Sequence, residues 1–305
     1  MRLKIRVLGS AAGGGFPQWN CNCTQCSAVR AGAPGFTART QSSIAVSGDG
    51  LRYALINASP DVRAQILATP ELQPGRALRD SAIAGIVVID AQIDHVTGLL
   101  LLRESTTPLQ LYCTARVYED LCSHFPVIPM LEHYCGVVWH EVRPGAWFGV
   151  DGVPGMEFNA VALHSKPPPY SPHRRNAQPG DNIGLILRDS ASGRRAFYAP
   201  GLGRLDAAVA AAMDSAELLL IDGTCWSDDE LQRLGVSRQS ARDMGHLPQS
   251  GPGGTNQLLA QHAGKRRVLI HINNTNPLLD DHGAERQELS RLGTELARDG
   301  QLIEV

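Results

Sequence analysis

The stretch "IDAQIDHVTG", residues 89–98, decides how the fold of this chain is interpreted. The apolar run Ile86–Ile89 predicts a buried strand, and polar residues follow it: Asp90, Gln92, Asp94 and His95. An aspartate and a histidine at the carboxyl end of such a strand can face the crevice where open α/β sheets bind ligands. Asp94 could instead cap the helix that follows. A metal site, a degraded metal site and a polar turn are therefore all open at this point.

Strands and helices are predicted along the whole chain. Apolar alternation around glycine turns predicts hairpins over 42–59 and 184–202. Further strands are predicted over 3–8, 83–90, 108–114, 155–164, 216–224 and 266–272, and helices over 60–72, 95–105, 206–215 and 283–300. No linker or repeat divides the chain, and the proline-rich stretch 165–175 is typical of an active-site loop. We expect one α/β domain over 1–305, with sheets inside and helices outside.

Composition excludes some classes of function. The chain has 305 residues, of which 43% are hydrophobic and 19% charged, and a formal net charge of -2. Because no basic block stands out, electrostatic binding of nucleic acid is not expected. No apolar run approaches the roughly 20 residues that span a bilayer, and the apolar stretch at the N-terminus is too short for a signal peptide. We expect a cytoplasmic protein.

Three of the seven cysteines crowd together in "CNCTQC", as Cys21, Cys23 and Cys26. In a reducing cytosol such a cluster is more often a metal site than a disulfide framework. Zinc prefers four tetrahedral ligands, and a closed set of thiolates leaves no position for a catalytic water. We expect a structural zinc loop at 21–26, with three free thiols as the alternative. The other cysteines are expected to be small buried apolar residues: Cys113, Cys122, Cys135 and Cys225.

Several other predicted strands also end in polar residues. His164 follows one apolar run, Asp222 ends another and His271 follows a third, whereas His246 lies in a loop. A single histidine of this kind would more often be a structural one. Because residues leaving the same edge of a sheet can meet, these strand ends together predict a metal or acid–base site beside Asp94 and His95.

Taken together, these segments resemble the metallo-β-lactamase-fold hydrolases. "DAQIDHVTG" is similar to a worn copy of their His-x-His-x-Asp-His-x-x-Gly signature. The stretches "VLGSAAGGGFPQWNCNCTQC", "NASPDVRAQ", "KPPPYSPH" and "HINNTNPLL" resemble more narrowly the family in this group that takes part in synthesis of pyrroloquinoline quinone (PQQ). These motifs extend over almost the whole chain. The resemblance implies a metallo-β-lactamase-like αββα sandwich, in which two mixed β-sheets are flanked by helices.

The resemblance also implies which residues hold metal, and where this chain departs from the family. Asp90 and Gln92 stand where dinuclear members have their first two histidines, whereas the Asp94–His95 pair is kept. His271 matches the last histidine of the family pattern, and His164 falls near the third. The bridging aspartate is expected around 199–201, where Ala, Pro and Gly stand. In the structural zinc site, the fourth ligand falls on Asn274, a weaker ligand for zinc.

These losses argue against a two-metal hydrolase, which needs the bridge and the missing imidazoles to activate water. Two histidines and one carboxylate with open positions are the ligand set of non-haem iron oxygenases. We therefore expect one active-site Fe²⁺ on Asp94, His95 and His271, with His164 or Gln92 nearby; Zn²⁺, Mn²⁺ or Cu²⁺ could also bind. Asp90 and Gln92 could add oxygen ligands or support the ligands from behind.

The resemblance implies a function in making PQQ from a precursor peptide containing Glu and Tyr. The ligand set favours hydroxylation, with dioxygen, of the tyrosine ring in a small Glu-Tyr-derived substrate. His246 or Asp222 could move protons. Three cations beside the proline-rich stretch could bind substrate carboxylates, or could belong to a solvated loop: Lys166, Arg174 and Arg175. A metal-dependent hydrolase and a carrier that assists transport of PQQ or its precursor are the alternatives. A homodimer is compatible with the sequence.

Overall fold

Two seven-stranded mixed β-sheets form the centre of the molecule in a computed structural model, which describes residues 3–305. The strands of the first sheet are β1 (Lys4–Gly9), β2 (Ser43–Ser47), β3 (Tyr53–Ile56), β4 (Ile83–Val87), β5 (Leu109–Cys113), β6 (Val137–Glu141) and β14 (Leu302–Glu304). Those of the second sheet are β7 (Trp147–Phe148), β8 (Met156–Ala162), β9 (Ile183–Asp189), β10 (Arg195–Ala199), β11 (Leu218–Asp222), β12 (Arg266–Ile270) and β13 (Glu295–Leu296).

Each sheet is antiparallel on one side and parallel on the other. The first sheet has the order β14-β1-β2-β3-β4-β5-β6, and its strands are parallel from β3 to β6. The second has the order β13-β12-β11-β10-β9-β8-β7 and is parallel from β10 to β13. The parallel strands β4, β11 and β12 lead into the polar residues singled out in the sequence.

Short helices connect and cover the strands. They are α1 (Thr24–Arg30), α2 (Val62–Ala68), α3 (Ile93–Val96), α4 (Gly98–Leu101), α5 (Ala115–Ser123), α6 (Val127–Leu131), α7 (Ala207–Ser215), α8 (Glu230–Arg233), α9 (Ala241–Met244), α10 (Thr255–Ala260) and α11 (Ala284–Arg291). Two 3-10 turns occur at Pro70–Leu72 and Pro277–Leu279. Within the described residues, no helix is long and apolar enough to cross a membrane.

Three apolar clusters separate the layers. The central cluster lies between the sheets and contains Ile5 and Val46 of the first sheet and Leu220 of the second. Leu219, the neighbour of Leu220, belongs instead to the cluster under α7 and α11, because successive strand residues point to opposite faces. The third cluster packs α5 and α6 on the outer face of the first sheet. The layer order is therefore helices, sheet, sheet, helices, which confirms the predicted αββα sandwich.

Both predicted hairpins are confirmed, as β2–β3 and β9–β10. The continuous helix predicted over 95–105 is wrong: the chain forms α3 and α4 instead, with a break at Thr97. The break follows from close packing at Gly98, whose N–H donates to the Ala58 carbonyl over 2.9 Å. A side chain at Gly98 would collide with the Ser59 carbonyl, so only glycine fits there.

The helix predicted over 283–300 is also too long, because α11 ends at Arg291. The Arg267 side chain of β12 donates to the carbonyls of Leu292 and Gly293 and holds the end of the helix against the sheet. The chain then adds β13 beside β12. The last strand, β14, pairs with β1 and was not predicted from the sequence pattern. Of the four scattered cysteines, Cys113 and Cys225 are buried as predicted, whereas Cys122 and Cys135 are partly exposed.

Candidate metal centre

The site forms where the carboxyl ends of strands from both sheets meet. Asp94 and His95 lie in α3, shortly after β4 of the first sheet, and His271 directly follows β12 of the second. His271 has a positive φ of 65°, which turns the chain sharply at this point. Asp94 lies inside the first turn of α3, whose N-cap is Gln92, so Asp94 does not cap the helix. Its carboxylate is therefore available to the site.

Three ligand atoms converge in this crevice. Asp94 Oδ2 lies 3.5 Å from His271 Nε2 and 3.7 Å from His95 Nε2. One donor atom from each of these residues lies within 4.8 Å of the others. His95 is buried, and its Nε2 atom has no hydrogen-bond partner. A buried polar atom without a partner is costly, so this nitrogen calls for a ligand.

Asp90 supports this cluster from behind. Its Oδ1 atom accepts a hydrogen bond from His95 Nδ1 over 2.7 Å and another from the Gln92 backbone N–H over 2.9 Å. A histidine that binds metal through one ring nitrogen commonly donates the other N–H to a carboxylate. The sequence left two roles open for Asp90, an oxygen ligand or a support for the ligands. The hydrogen bond to His95 favours the supporting role and directs His95 Nε2 to the cluster.

A second hydrogen-bonded group supports His271. Thr224 Oγ1 lies 2.9 Å from His271 Nδ1, 2.6 Å from Asp222 Oδ1 and 3.1 Å from His246 Nδ1. Asp222 Oδ2 in turn accepts from His246 Nδ1 over 2.6 Å and from the Leu202 N–H over 2.8 Å. The potential metal-ligand atoms of Asp222, His246 and His271 also lie within 4.8 Å of one another. Because both oxygens of Asp222 already accept hydrogen bonds, we interpret Asp222 as a support for the imidazoles.

The carboxylates of the cluster shift the pKa values of the neighbouring imidazoles. Burial disfavours a charge on His95, but the carboxylates of Asp90 and Asp94 outweigh it and raise the pKa of His95 to about 9. Burial likewise disfavours the charged form of Asp94, yet the imidazoles of His95 and His271 lower its pKa. The pKa of His246 is raised by Asp222 despite burial. The carboxylates thus favour positive charge here, whether it is a proton or a metal cation.

The geometry fits a single first-row metal ion. A tetrahedral ion with bonds of ~2.0–2.2 Å holds its ligand atoms about 3.3 Å apart, close to the 3.5 and 3.7 Å found around Asp94 Oδ2. Such an ion would also explain why the buried Nε2 atom of His95 has no hydrogen-bond partner. Residues 199–201 supply no carboxylate to bridge to a second ion. Asp94, His95 and His271 are thus the residues that could hold one ion.

The proline-rich stretch lies directly beside this centre. Gln92 Nε2 donates to the Lys166 carbonyl over 3.0 Å, and Tyr170 donates to the carbonyl of Ala91. The Lys166 ammonium contacts the main-chain carbonyl of Asp243, and Ser165 donates to the carbonyl of Gly245 over 2.9 Å. The stretch is therefore held between α3 and the loop that carries His246. The Nε2 atom of the Gln92 amide is thus engaged in holding this stretch.

Of the other predicted substrate-binding cations, Arg174 donates to the carbonyl of Pro167, whereas Arg175 is exposed. His164, expected near the third ligand position, lies outside both histidine clusters. Its side chain is 54% exposed, and its Nε2 faces Arg204 at 2.8 Å and Asp206 at 3.1 Å. These two contacts hold the ring at the surface. The structure thus does not bring His164 to the metal centre.

The three clustered cysteines form a second candidate site. One sulfur atom from each lies within 4.8 Å of the others. Cys26 belongs to α1 and Cys23 is its N-cap, so the expected loop is partly helical. Asn274 Nδ2 lies 3.4 Å from Cys26 Sγ and 3.9 Å from Cys23 Sγ. Burial raises the pKa of Cys23 to about 12, and a bound cation would offset this by stabilising the thiolate.

Asn274 is therefore adjacent to the thiols, as the resemblance implied. The nitrogen and oxygen of an asparagine amide are assigned from hydrogen bonding, and the opposite orientation would present Oδ1 to an ion among the sulfurs. Thr224 is a supporting residue that sequence reasoning missed. Its only signal is its place two residues after Asp222, at the end of a strand, and a threonine in a turn is too common to be singled out.

Comparison with known proteins gives two levels of similarity. The profile of the beta-lactamase superfamily domain matches residues 52–272. The coenzyme PQQ synthesis protein B of Azoarcus sp. (strain BH72) is 57% identical over 302 residues, which cover 99% of each chain. The protein of the same name from Cupriavidus taiwanensis is 57% identical over 300 residues, 98% of each chain.

Solved structures agree with the sequence matches. The crystal structure of Zn²⁺-bound PqqB from Methylobacterium extorquens has a TM-score of 0.91 and 36% identity, covering 99% of this chain and 100% of that one. A diphosphatase from the PhnP family has a TM-score of 0.68 and 20% identity, covering 100% of this chain and 98% of that one. The second similarity extends to the fold alone.

Proposed function

The chain belongs to the beta-lactamase superfamily and, within it, to the coenzyme PQQ synthesis protein B family, and from this membership we propose that it acts in the biosynthesis of PQQ. Its relatives are named for synthesis of PQQ, and their similarity to this protein extends over almost the whole chain. The relative from Methylobacterium extorquens is described as Zn²⁺-bound, which supports metal binding in this chain as well.

In the version that the site favours, the protein hydroxylates the tyrosine ring of a Glu-Tyr unit derived from the precursor peptide. The observation that carries this proposal is the convergence of Asp94 Oδ2 with the Nε2 atoms of His95 and His271. Two imidazoles and a carboxylate with open positions suit Fe²⁺ in oxygenases. Ferrous iron held by these three residues would supply the activation of dioxygen.

The remaining residues have supporting roles in this proposal. Asp90 and Thr224 orient His95 and His271 through their Nδ1 atoms. His246, whose side chain is 17% exposed, would hold or release a proton, and Asp222 would stabilise its charged form. Arg175 is exposed and would be the cation free to pair with a substrate carboxylate, because Lys166 and Arg174 already donate to backbone carbonyls. The cysteine cluster with Asn274 would hold a structural Zn²⁺.

One experiment separates this proposal from its alternatives. The protein is reconstituted with Fe²⁺ without oxygen, mixed with a Glu-Tyr peptide and exposed to oxygen, and the products are analysed by mass spectrometry. A peptide that gains oxygen supports hydroxylation, cleaved peptide supports a hydrolase, and binding without a change in mass supports a carrier. His95→Ala and His271→Ala should lose the product, whereas His282→Ala, an exposed histidine outside both clusters, should keep it.

A further inference from the structure

Thr224 lies at the junction of three polar side chains. Its side-chain oxygen contacts Asp222 Oδ1 at 2.6 Å, His271 Nδ1 at 2.9 Å and His246 Nδ1 at 3.1 Å. Thr224 and Asp222 are both buried, and the Thr224 backbone N–H also donates to Asp222 Oδ1 over 2.9 Å. The hydroxyl is therefore fixed in place and shielded from water.

The direction of each hydrogen bond follows from the number of protons. A hydroxyl has one proton to donate, and the shortest contact is to a carboxylate oxygen, which only accepts. The Thr224 proton therefore goes to Asp222, and its oxygen can only accept from the imidazoles. The bond between Thr224 and His271 then requires the proton of that ring to be on Nδ1. In the neutral ring, the Nε2 atom of His271, 3.5 Å from Asp94 Oδ2, is then left with a free lone pair.

His246 does not compete for this role of the hydroxyl. Its Nδ1 atom is closer to Asp222 Oδ2, at 2.6 Å, than to Thr224, at 3.1 Å. His271 Nδ1, by contrast, has Thr224 Oγ1 as its hydrogen-bond partner among the described residues. Loss of the hydroxyl would thus leave His246 held by Asp222 and His271 without its acceptor.

We propose that Thr224 is a positioning residue that selects the Nδ1–H form of His271 and so keeps Nε2 free to bind the metal ion. This inference rests on the proposed function only in requiring a metal at Asp94, His95 and His271. Asp222 acts through Thr224, because it accepts the hydroxyl proton and so forces the oxygen to accept from His271. The role is the same one that Asp90 plays for His95 by direct contact.

The test compares Thr224→Val, which keeps the shape and removes the hydroxyl, with Thr224→Ser, which keeps the hydroxyl. Thr255→Val is the matched control, since Thr255 is buried and its hydroxyl has no hydrogen-bond partner. Each protein, with Zn²⁺ first loaded at the cysteines, is titrated with Co²⁺ and followed by its visible ligand-field spectrum. The ring nitrogens of the metal-free proteins are observed by NMR with ¹⁵N-labelled histidine.

We expect Thr224→Val to weaken Co²⁺ binding by about 10- to 100-fold and to shift His271 towards the Nε2–H form. Thr224→Ser and Thr255→Val should behave like the unaltered protein. Unchanged affinity and an unchanged tautomer in Thr224→Val would overturn the inference, as would an equal loss in Thr224→Ser. If the unaltered protein bound no Co²⁺ at the imidazoles, the proposed metal centre itself would be contradicted, and the inference with it. The NMR result remains decisive even if Thr224→Val binds poorly because of altered packing.

Discussion

Asp90 Oδ1 lies 2.7 Å from His95 Nδ1, and the opposite nitrogen of the same ring is buried without a partner. The sequence resemblance implies that this aspartate stands where dinuclear members of the fold have a histidine ligand. In this chain it has become a support for the neighbouring histidine. A carboxylate at this position would thus leave one ion without a ligand and strengthen His95 as a ligand for another.

This relationship predicts the effect of Asp90→Asn. The amide keeps the size of the side chain but loses the negative charge that favours both the proton and the metal on His95. We expect Fe²⁺ or Co²⁺ affinity to fall by about 10- to 100-fold, measured by competition with a chelator. In the metal-free protein, the pKa of His95 should fall from about 9, measured by NMR. Asp49→Asn, in the turn between β2 and β3, is the control and should change neither value.

His164 and His271 are expected to differ sharply. Because His164 Nε2 faces Arg204 and Asp206 at the surface, His164→Ala should leave metal affinity at the centre unchanged. His271→Ala should lower it by more than the about 10- to 100-fold typical of a lost supporting hydrogen bond. Calorimetric titration with Fe²⁺ under nitrogen measures both. A large loss of affinity in His164→Ala would show that this residue moves into the centre when metal binds.

Gln92 offers a test of whether its amide binds metal or holds the proline-rich stretch. Its Nε2 atom donates to the Lys166 carbonyl, so Gln92→Ala should loosen the stretch 165–175. We expect faster cleavage of that stretch by a protease, with metal affinity within about twofold of the unaltered protein, since a supporting bond to an actual ligand would cost about tenfold or more. Gln110→Ala, on β5, is the control for both measurements. A selective loss of metal would instead make Gln92 a ligand.

The cysteine cluster should bind about one Zn²⁺ per chain. Cys23→Ser should lose this metal and lower the melting temperature by at least about 5 °C, because a structural metal contributes directly to folding free energy. Cys122→Ser, a partly exposed cysteine outside the cluster, should keep the metal. Elemental analysis and thermal unfolding are the measurements. Full zinc content in Cys23→Ser would contradict the assignment of these thiols.

The fold could be predicted from the sequence to a large extent, because hairpins and buried strands have local patterns. The turn between β9 and β10 and the apolar run of β4 are visible in the residues themselves. The second half of the predicted helix over 283–300 fails for a nonlocal reason: Arg267 and β12 compete for that segment. The strand β14 is defined only by its partner β1.

The candidate site divides in the same way. Asp94, His95 and His271 each follow a buried strand, and the topology brings them together. The sequence pattern does not determine the direction of a side chain. It therefore could not show whether the Asp90 carboxylate points to the metal centre or to the ring of His95. The same holds for His164, whose position after β8 fits a ligand but whose side chain pairs with Arg204 and Asp206.

The turn after β12 carries a constraint of its own. It contains His271, with its positive φ, and three residues later Asn274, which contacts Cys23 and Cys26. The cysteine segment therefore contacts the same short turn that orients His271. We expect a zinc ion at the cysteines to restrict the motion of the turn that carries His271, so that the two centres are coupled through Asn274.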